Sequence, residues 1–260
     1  YIFHSSLTLV RGLFYVSKVI LFYTKIKNTE GDIPMKLITE IMEEKALPIV
    51  DKIYNDGFIQ GLVHANLSKE AVVHYLKADA LYLANFSDIY AMLLAKSNDK
   101  VEKNFFLGQI NFVLNEEIAA HKNLADYVGE DYHEIIKGGE WYPSADHYIK
   151  HMYYNAFAFG MAETLSAMAP CPWIYKMVAR KILANHNLAE DHPLKFWVEF
   201  YADGLVDEVL TEYYKIINRE AKFMGEEGKE RLIKNFLESC EHERRFFNMA
   251  YTQERWDLEV

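Results

Sequence analysis

KEAVVHYLKADALYLANFSDIYAMLLAK, residues 69–96, is the stretch whose period decides the fold class. Within it Val72, Leu76, Asp79, Leu83, Phe86 and Tyr90 recur at alternating spacings of four and three. That is the repeat of one face of an α-helix, whereas a strand would repeat every second residue. Ser68, just before it, has a side chain suited to accept from the free N–H groups of a first helical turn. The same period continues on both sides. It predicts helices over 36–55, 57–63, 69–96, 100–126, 130–137, 145–168, 172–185, 193–221 and 228–254. Breaks fall at Asp56-Gly57, Asn66 to Ser68, Ser97 to Asp99, Gly138-Gly139, Pro170 to Pro172, Asn185 to Pro193 and Gly225 to Gly228. Asp99 is placed to cap the fourth helix. With no repeat, no low-complexity tract and no strand pair, the expectation is a single all-α domain, a multi-helix bundle.

Bulk properties narrow the function. The 260 residues are 51% hydrophobic and 25% charged, as in a folded globular chain. Aromatics reach 15%, with 18 Tyr and 16 Phe, which suits pockets for flat polar ligands as well as cores. The net charge of −10 and the lack of a Lys/Arg run argue against a nucleic-acid partner. Cys171 and Cys240 are the only cysteines and stand far apart, which fits a reducing cytoplasm. Residues 1–34 differ from the remainder. Tyr1 to Lys27 is aromatic and basic without an acid, and Arg11 and Lys18 interrupt its apolar run. No uncharged stretch of the ~18 residues needed for a membrane span survives, and no signal-peptide cleavage site follows. Glu30-Gly31-Asp32-Ile33-Pro34 then reads as a break. The expectation is an extension over 1–34 and a domain over 35–260, with Met35 as the natural start.

Chemistry is sought where polar residues occupy apolar faces. Asp79 sits in the middle of the stripe that opened this section, with Tyr82 on the neighbouring part of the face. A buried carboxylate needs hydrogen-bond partners, a buried base or a ligand. In the last helix Ile233, Phe236, Cys240, Glu243, Phe247 and Ala250 share a face, so Glu243 is a second misplaced acid, with Phe246 beside it. A glutamate against aromatic rings has its pKa raised and suits proton donation; otherwise it is a salt bridge to Arg244, Arg245 or Arg180. Cys171 lies in Ala169-Pro170-Cys171-Pro172-Trp173. Prolines mark a helix start, where free N–H groups and the positive dipole end would favour a thiolate. Cys240, mid-stripe, reads as a buried filler. His147 and His151 lack the glutamate of a zinc-peptidase pair. Glu117 and His121 lack the second carboxylate–histidine motif of a di-iron bundle, and read as a hydrogen-bonded pair. No metal and no cofactor is therefore expected, and no phosphate-binding or nucleophile-elbow motif is present.

Phe58 to Leu62 and His74 to Phe86 together resemble the first signature of the TenA/thiaminase II family. Further resemblances follow in the family's order: Glu117 to His121, Tyr148 to Tyr153, Ala167 to Tyr175, Phe196 to Tyr201, and Glu243 to Tyr251. The resemblance runs from about residue 37 to 256. It implies a haem-oxygenase-like helical fold in which Asp79, Tyr82, Tyr148, Cys171, Tyr175, Tyr201, Glu243 and Phe246 line one pocket. It also implies a cysteine-type aminopyrimidine hydrolase of thiamin salvage. Such an enzyme turns 4-amino-5-aminomethyl-2-methylpyrimidine into the hydroxymethylpyrimidine and cleaves thiamin more slowly. Cys171 would be the nucleophile, Glu243 the proton donor, and Asp79 the partner of the ring's amino group. A homotetramer is implied as well. Pro172 and Phe247 depart from the pattern, where an aromatic and a tryptophan are common. The rival readings are a metal-dependent oxygenase using Glu117 and His121, and a non-catalytic regulator.

Residues 1–34 lie outside every matched segment. A chain beginning at Met35 should keep the melting temperature and the aminomethylpyrimidine hydrolysis of the full chain. A large loss in either would mean that Leu13, Phe14 and Phe22 bury apolar area against the domain.

Overall fold

The computed structural model describes residues 36–258, so the expectations for 1–34 and for the start at Met35 lie outside the described residues. Twelve helices are described in chain order: α1 (Ile38–Tyr54), α2 (Gly57–Val63), α3 (Lys69–Lys96), α4 (Lys100–Asn115), α5 (Ile118–Tyr127), α6 (Tyr132–Ile136), α7 (Pro143–Ala158), α8 (Met161–Met168), α9 (Pro170–Asn185), α10 (Lys195–Ala202), α11 (Leu205–Ala221) and α12 (Glu226–Thr252). No strand occurs among the described residues. The expected caps are in place. Ser68 Oγ accepts from the Ala71 N–H at 3.1 Å, and Asp99 Oδ1 accepts from Val101 and Glu102 at 2.6 and 3.2 Å.

α3 and α12 pack on one another and form the middle of the bundle. α4, α5, α6 and α7 pack against α3, while α1, α2, α7, α8 and α9 pack against α12. The seam between them is aromatic. Phe58 lies 5.2 Å from Tyr75 and 5.6 Å from Phe247 between ring centroids, and Trp173 lies 5.3 Å from Phe236. Burying each such ring contributes about 1.5–3 kcal/mol. Phe247, one of the departures noted above, is fully buried here, 5.3 Å from the Tyr175 ring.

Three of the long helices expected from the period are each broken in two. Between α4 and α5 the N–H groups of Glu116 and Glu117 both donate to the Phe112 carbonyl, at 2.8 and 3.2 Å, which widens the turn. Between α7 and α8 the backbone of Phe159 is extended, and Glu220 Oε2 caps the new helix by accepting from the Ala162 N–H at 3.0 Å. Between α10 and α11 Asp203 is extended and its Oδ1 accepts from the Gly204 N–H at 2.6 Å. The break expected at 170–172 is slighter. α8 runs into α9 across Ala169 alone, and that residue keeps helical backbone angles. No helix among the described residues is long and apolar enough to cross a membrane.

Candidate active site

A cavity of about 580 Å³ opens beside α3 and is walled by α4, α9, α10 and the start of α11. Of the eight residues singled out from sequence, Cys171, Tyr175 and Tyr201 line it, and Pro172 and Glu117 join them. The other five, Asp79, Tyr82, Tyr148, Glu243 and Phe246, form a buried layer that does not line this cavity, none more than 5% exposed. They belong together: the Tyr82 ring lies 5.3 Å from Tyr148 and 5.6 Å from Phe246. Cys171 joins the two zones, since it borders the cavity and interacts with both Tyr82 and Glu243. The misplaced acids of α3 and α12 thus do face a common interior.

Asp79 has a counter-ion. His121 Nε2 lies 2.9 Å from its Oδ2, with both residues buried. Burial opposes charge on His121, but Asp79 and then Glu117 outweigh it and raise its pKa. The expected Glu117–His121 hydrogen bond is not formed. Instead, Tyr201 Oη donates to Glu117 Oε1 at 3.2 Å, and the wide turn after α4 aims Glu117 at the cavity. Burial pushes Glu117 up to about 7, against the pull of His121.

Glu243 has no ion partner among the described residues. Arg244 bonds Glu241 and lies 3.8 Å from Asp56, Arg245 lies 3.7 Å from Glu241, and Arg180 holds Asp207, so none of the three serves Glu243. Its Oε1 is buried without a hydrogen-bond partner, as are the hydroxyls of Tyr82 and Tyr148. Burial pushes Glu243 up to about 8. The Asp79 and Glu117 charges add to this, while Tyr148 and Cys171 pull against it. At neutral pH this carboxyl holds its proton.

Cys171 departs from the sequence expectation. Burial pushes its thiol well above the usual value, and the Glu243 and Glu117 charges push the same way. The helix start does not compensate. Pro170 and Pro172 carry no N–H, Trp173 N donates to the Ala169 carbonyl at 3.1 Å, and α8 abuts the end of α9. Cys171 is therefore a neutral thiol at rest. Cys240 is fully buried, as expected.

Sequence reasoning missed three contributors. Tyr75 Oη shares a hydrogen bond with Tyr175 Oη at 2.5 Å, His121 is the counter-ion of Asp79, and Glu117 lines the cavity. The spacing of Glu117 and His121 was the available signal, and it was read as a hydrogen bond between those two residues. His147 and His151 acquire a third neighbour, His242, with ring centroids 4.6 and 5.3 Å away. Even so, no group of three or more His, Cys, Asp or Glu among the described residues is arranged to hold a metal ion. What the arrangement can do is hold a flat, nitrogen-bearing ring. The carboxylate paired with His121 can accept from an amino group, a protonated carboxyl can serve a ring nitrogen, and a thiol stands beside them.

The sequence profile of the TENA/THI-4/PQQC family matches residues 43–253. The aminopyrimidine aminohydrolase of Staphylococcus epidermidis is 44% identical over 217 residues, covering 83% of this chain and 94% of that protein. The enzyme of the same name from Staphylococcus aureus is 43% identical over 216 residues, with the same coverage. Among solved structures, a TenA homologue from P. horikoshii covers 84% of this chain and 99% of its own, with a TM-score of 0.70 at 21% identity. A domain with a heme oxygenase-like fold from Shewanella denitrificans covers 84% of this chain and 94% of its own, with a TM-score of 0.63 at 13% identity. These two likenesses establish the fold.

The raised Glu243 carboxyl has a consequence for stability. Its folded pKa of about 8 lies above the ordinary 4.5, so the folded chain binds this proton more tightly than the unfolded chain. That contribution is complete below the ordinary value and is lost as pH rises through the folded one. Glu243→Gln should therefore melt higher than wild type near pH ~9, by at least about 2 °C, with the gain vanishing near pH ~4. Thermal melts across that range check it; an unchanged or lowered melting temperature near pH ~9 would contradict the assignment.

Proposed function

The chain belongs to the TENA/THI-4/PQQC family, and from that premise we propose that it is an aminopyrimidine hydrolase of the thiaminase II kind. It replaces the amine of 4-amino-5-aminomethyl-2-methylpyrimidine by hydroxyl, releasing ammonia and the hydroxymethylpyrimidine. It cleaves thiamin to the pyrimidine and thiazole more slowly. The observation that carries this reading is the buried Glu243 carboxyl, without an ion partner among the described residues, set beside the Cys171 thiol that borders the cavity. The relatives named aminopyrimidine aminohydrolase support the substrate class.

Asp79, held by His121, accepts from the ring's 4-amino group and fixes its orientation. Tyr82, Tyr148, Tyr175, Tyr201 and Phe246 supply stacking faces and hydroxyl contacts. Glu243 gives its proton to a ring nitrogen, which makes the ring carbon C6 electrophilic. The Glu243 carboxylate so formed takes the proton of the Cys171 thiol as the sulfur bonds to C6. The 4-amino lone pair drives out the substituent on the exocyclic carbon. The C–N bond breaks, its electron pair stays with the nitrogen, and that nitrogen takes up a proton and departs. Water bonds to the exocyclic carbon and gives up a proton. Finally the C–S bond breaks, the sulfur takes its proton back from Glu243, the ring nitrogen returns its own proton to that carboxylate, and aromaticity is restored. A neutral resting thiol fits this order, because a protonated ring supplies the positive charge that a thiolate among carboxylates lacks.

Two free cysteines fit a cytoplasmic setting. A homotetramer is supported by apolar side chains on α4, where Val101, Leu107 and Leu114 are exposed.

Incubation with aminomethylpyrimidine and with thiamin, followed by detection of hydroxymethylpyrimidine, tests the activity. Cys171→Ser should abolish turnover with the melt unchanged, while Cys240→Ser keeps most of it. Glu243→Gln should lower kcat by about 10²–10⁴ with a smaller effect on binding. Equal residual activity in the two cysteine variants, or near-normal kcat in Glu243→Gln, would contradict these roles.

A further inference from the structure

The cavity is larger than its reacting end requires. About 580 Å³ falls in the range that encloses a multi-ring ligand rather than one six-membered ring. Its inner end holds Cys171, Glu117, Tyr175 and Tyr201. Its outer part is walled by Phe105 and Phe112 of α4, Phe200 of α10, and Val206 and Val209 of α11. Among the described residues four carboxylates line the whole, Glu117, Asp207, Glu208 and Glu212, and no lysine, arginine or histidine does. Asp207 is neutralised from outside by Lys176 and Arg180, and Glu212 pairs with Lys215 at 3.1 Å. Glu208 has no ion-pair partner among the described residues and keeps an uncompensated charge at the mouth. The start of α11 opens here and alone would favour an anion. Its own first-turn carboxylates, Asp207 and Glu208, already answer that end of the dipole.

We infer that this outer part is a leaving-group chamber for flat aromatic cations, closed to phosphate esters, with Glu208 as the main charge filter and Glu212 as its second member. The inference rests on the hydrolase reading above. A thiazolium on the exocyclic carbon would lie against aromatic faces that attract a cation and beside a free carboxylate. A phosphate on the same leaving group would meet carboxylates and find no basic side chain on the chamber wall. Ammonia needs none of this volume. The chamber thus sets which bulky leaving groups are accepted, not whether the pyrimidine reacts.

The test compares kcat/KM for thiamin and thiamin monophosphate on the full chain, each divided by the same protein's value for aminomethylpyrimidine. Wild type should favour thiamin over its monophosphate by at least about tenfold. Glu208→Lys, and the milder Glu208→Gln as a safeguard for folding, should narrow that preference, the lysine variant more. Adding Glu212→Lys should narrow it further. Equal use of both compounds by wild type, or an unchanged ratio in every variant, would overturn the inference. Hydrolysis of aminomethylpyrimidine with none of thiamin would overturn it together with the thiamin cleavage proposed above, and leave the aminopyrimidine hydrolase reading standing. Hydrolysis of neither would overturn the underlying reading and the chamber with it.

Discussion

Three carboxylates share one helical interior, and the rest of the site depends on how each of them is settled. Asp79 takes the imidazole of His121 at 2.9 Å. Glu117 is left with a tyrosine hydroxyl, and Glu243 with no partner at Oε1. Burial raises both glutamates, and the charges of the neighbouring acids add to the rise at Glu243, which keeps a proton at neutrality. Burial, with Glu243 and Glu117 adding to it, keeps Cys171 a neutral thiol. A cationic or protonatable ring relieves the imbalance, which links the bundle's electrostatics to the class of substrate it takes.

That interior is assembled by irregularities in the helices. The doubled hydrogen bonding at Phe112 turns Glu117 toward the cavity. The break at Asp203-Gly204 ends α10 just after Tyr201 and starts α11 at the cavity mouth, where Val206, Glu208 and Glu212 become wall. Continuous helices over 100–126 and 193–221 would carry these side chains along one axis and leave the chamber without two of its sides. The single-residue junction at Ala169 has the opposite effect. By keeping α8 and α9 nearly continuous it removes the open helix end that would have made Cys171 a thiolate.

Much of this was legible along the chain, and the limits have physical causes. Asp79 and Glu243 betray themselves because a charge on an apolar stripe breaks a short-range period. Cys171 is marked by its prolines. The helix breaks at Gly160 and Gly204 carried a glycine signal that the surrounding apolar period masked, and the one at Glu116-Glu117 carried no such signal. Partnership is a different matter. Which acid His121 meets is decided by how α3 packs on α5, so the i, i+4 neighbour Glu117 was the natural but wrong partner. The state of Cys171 failed for the same reason. Local backbone argues for a thiolate, and only tertiary burial with two nearby carboxylates reverses the sign.

A crystal structure of the full chain with hydroxymethylpyrimidine bound would test the central claim most directly, namely that the three acids and the thiol form one ring-binding, ring-activating site. The account predicts the 4-amino group against Asp79, a ring nitrogen within hydrogen-bond reach of Glu243, and Cys171 Sγ facing C6. The exocyclic carbon should point toward the chamber between α4 and α11. A ring bound in the outer chamber away from Asp79 and Glu243, or one presenting its exocyclic carbon away from that chamber, would contradict it.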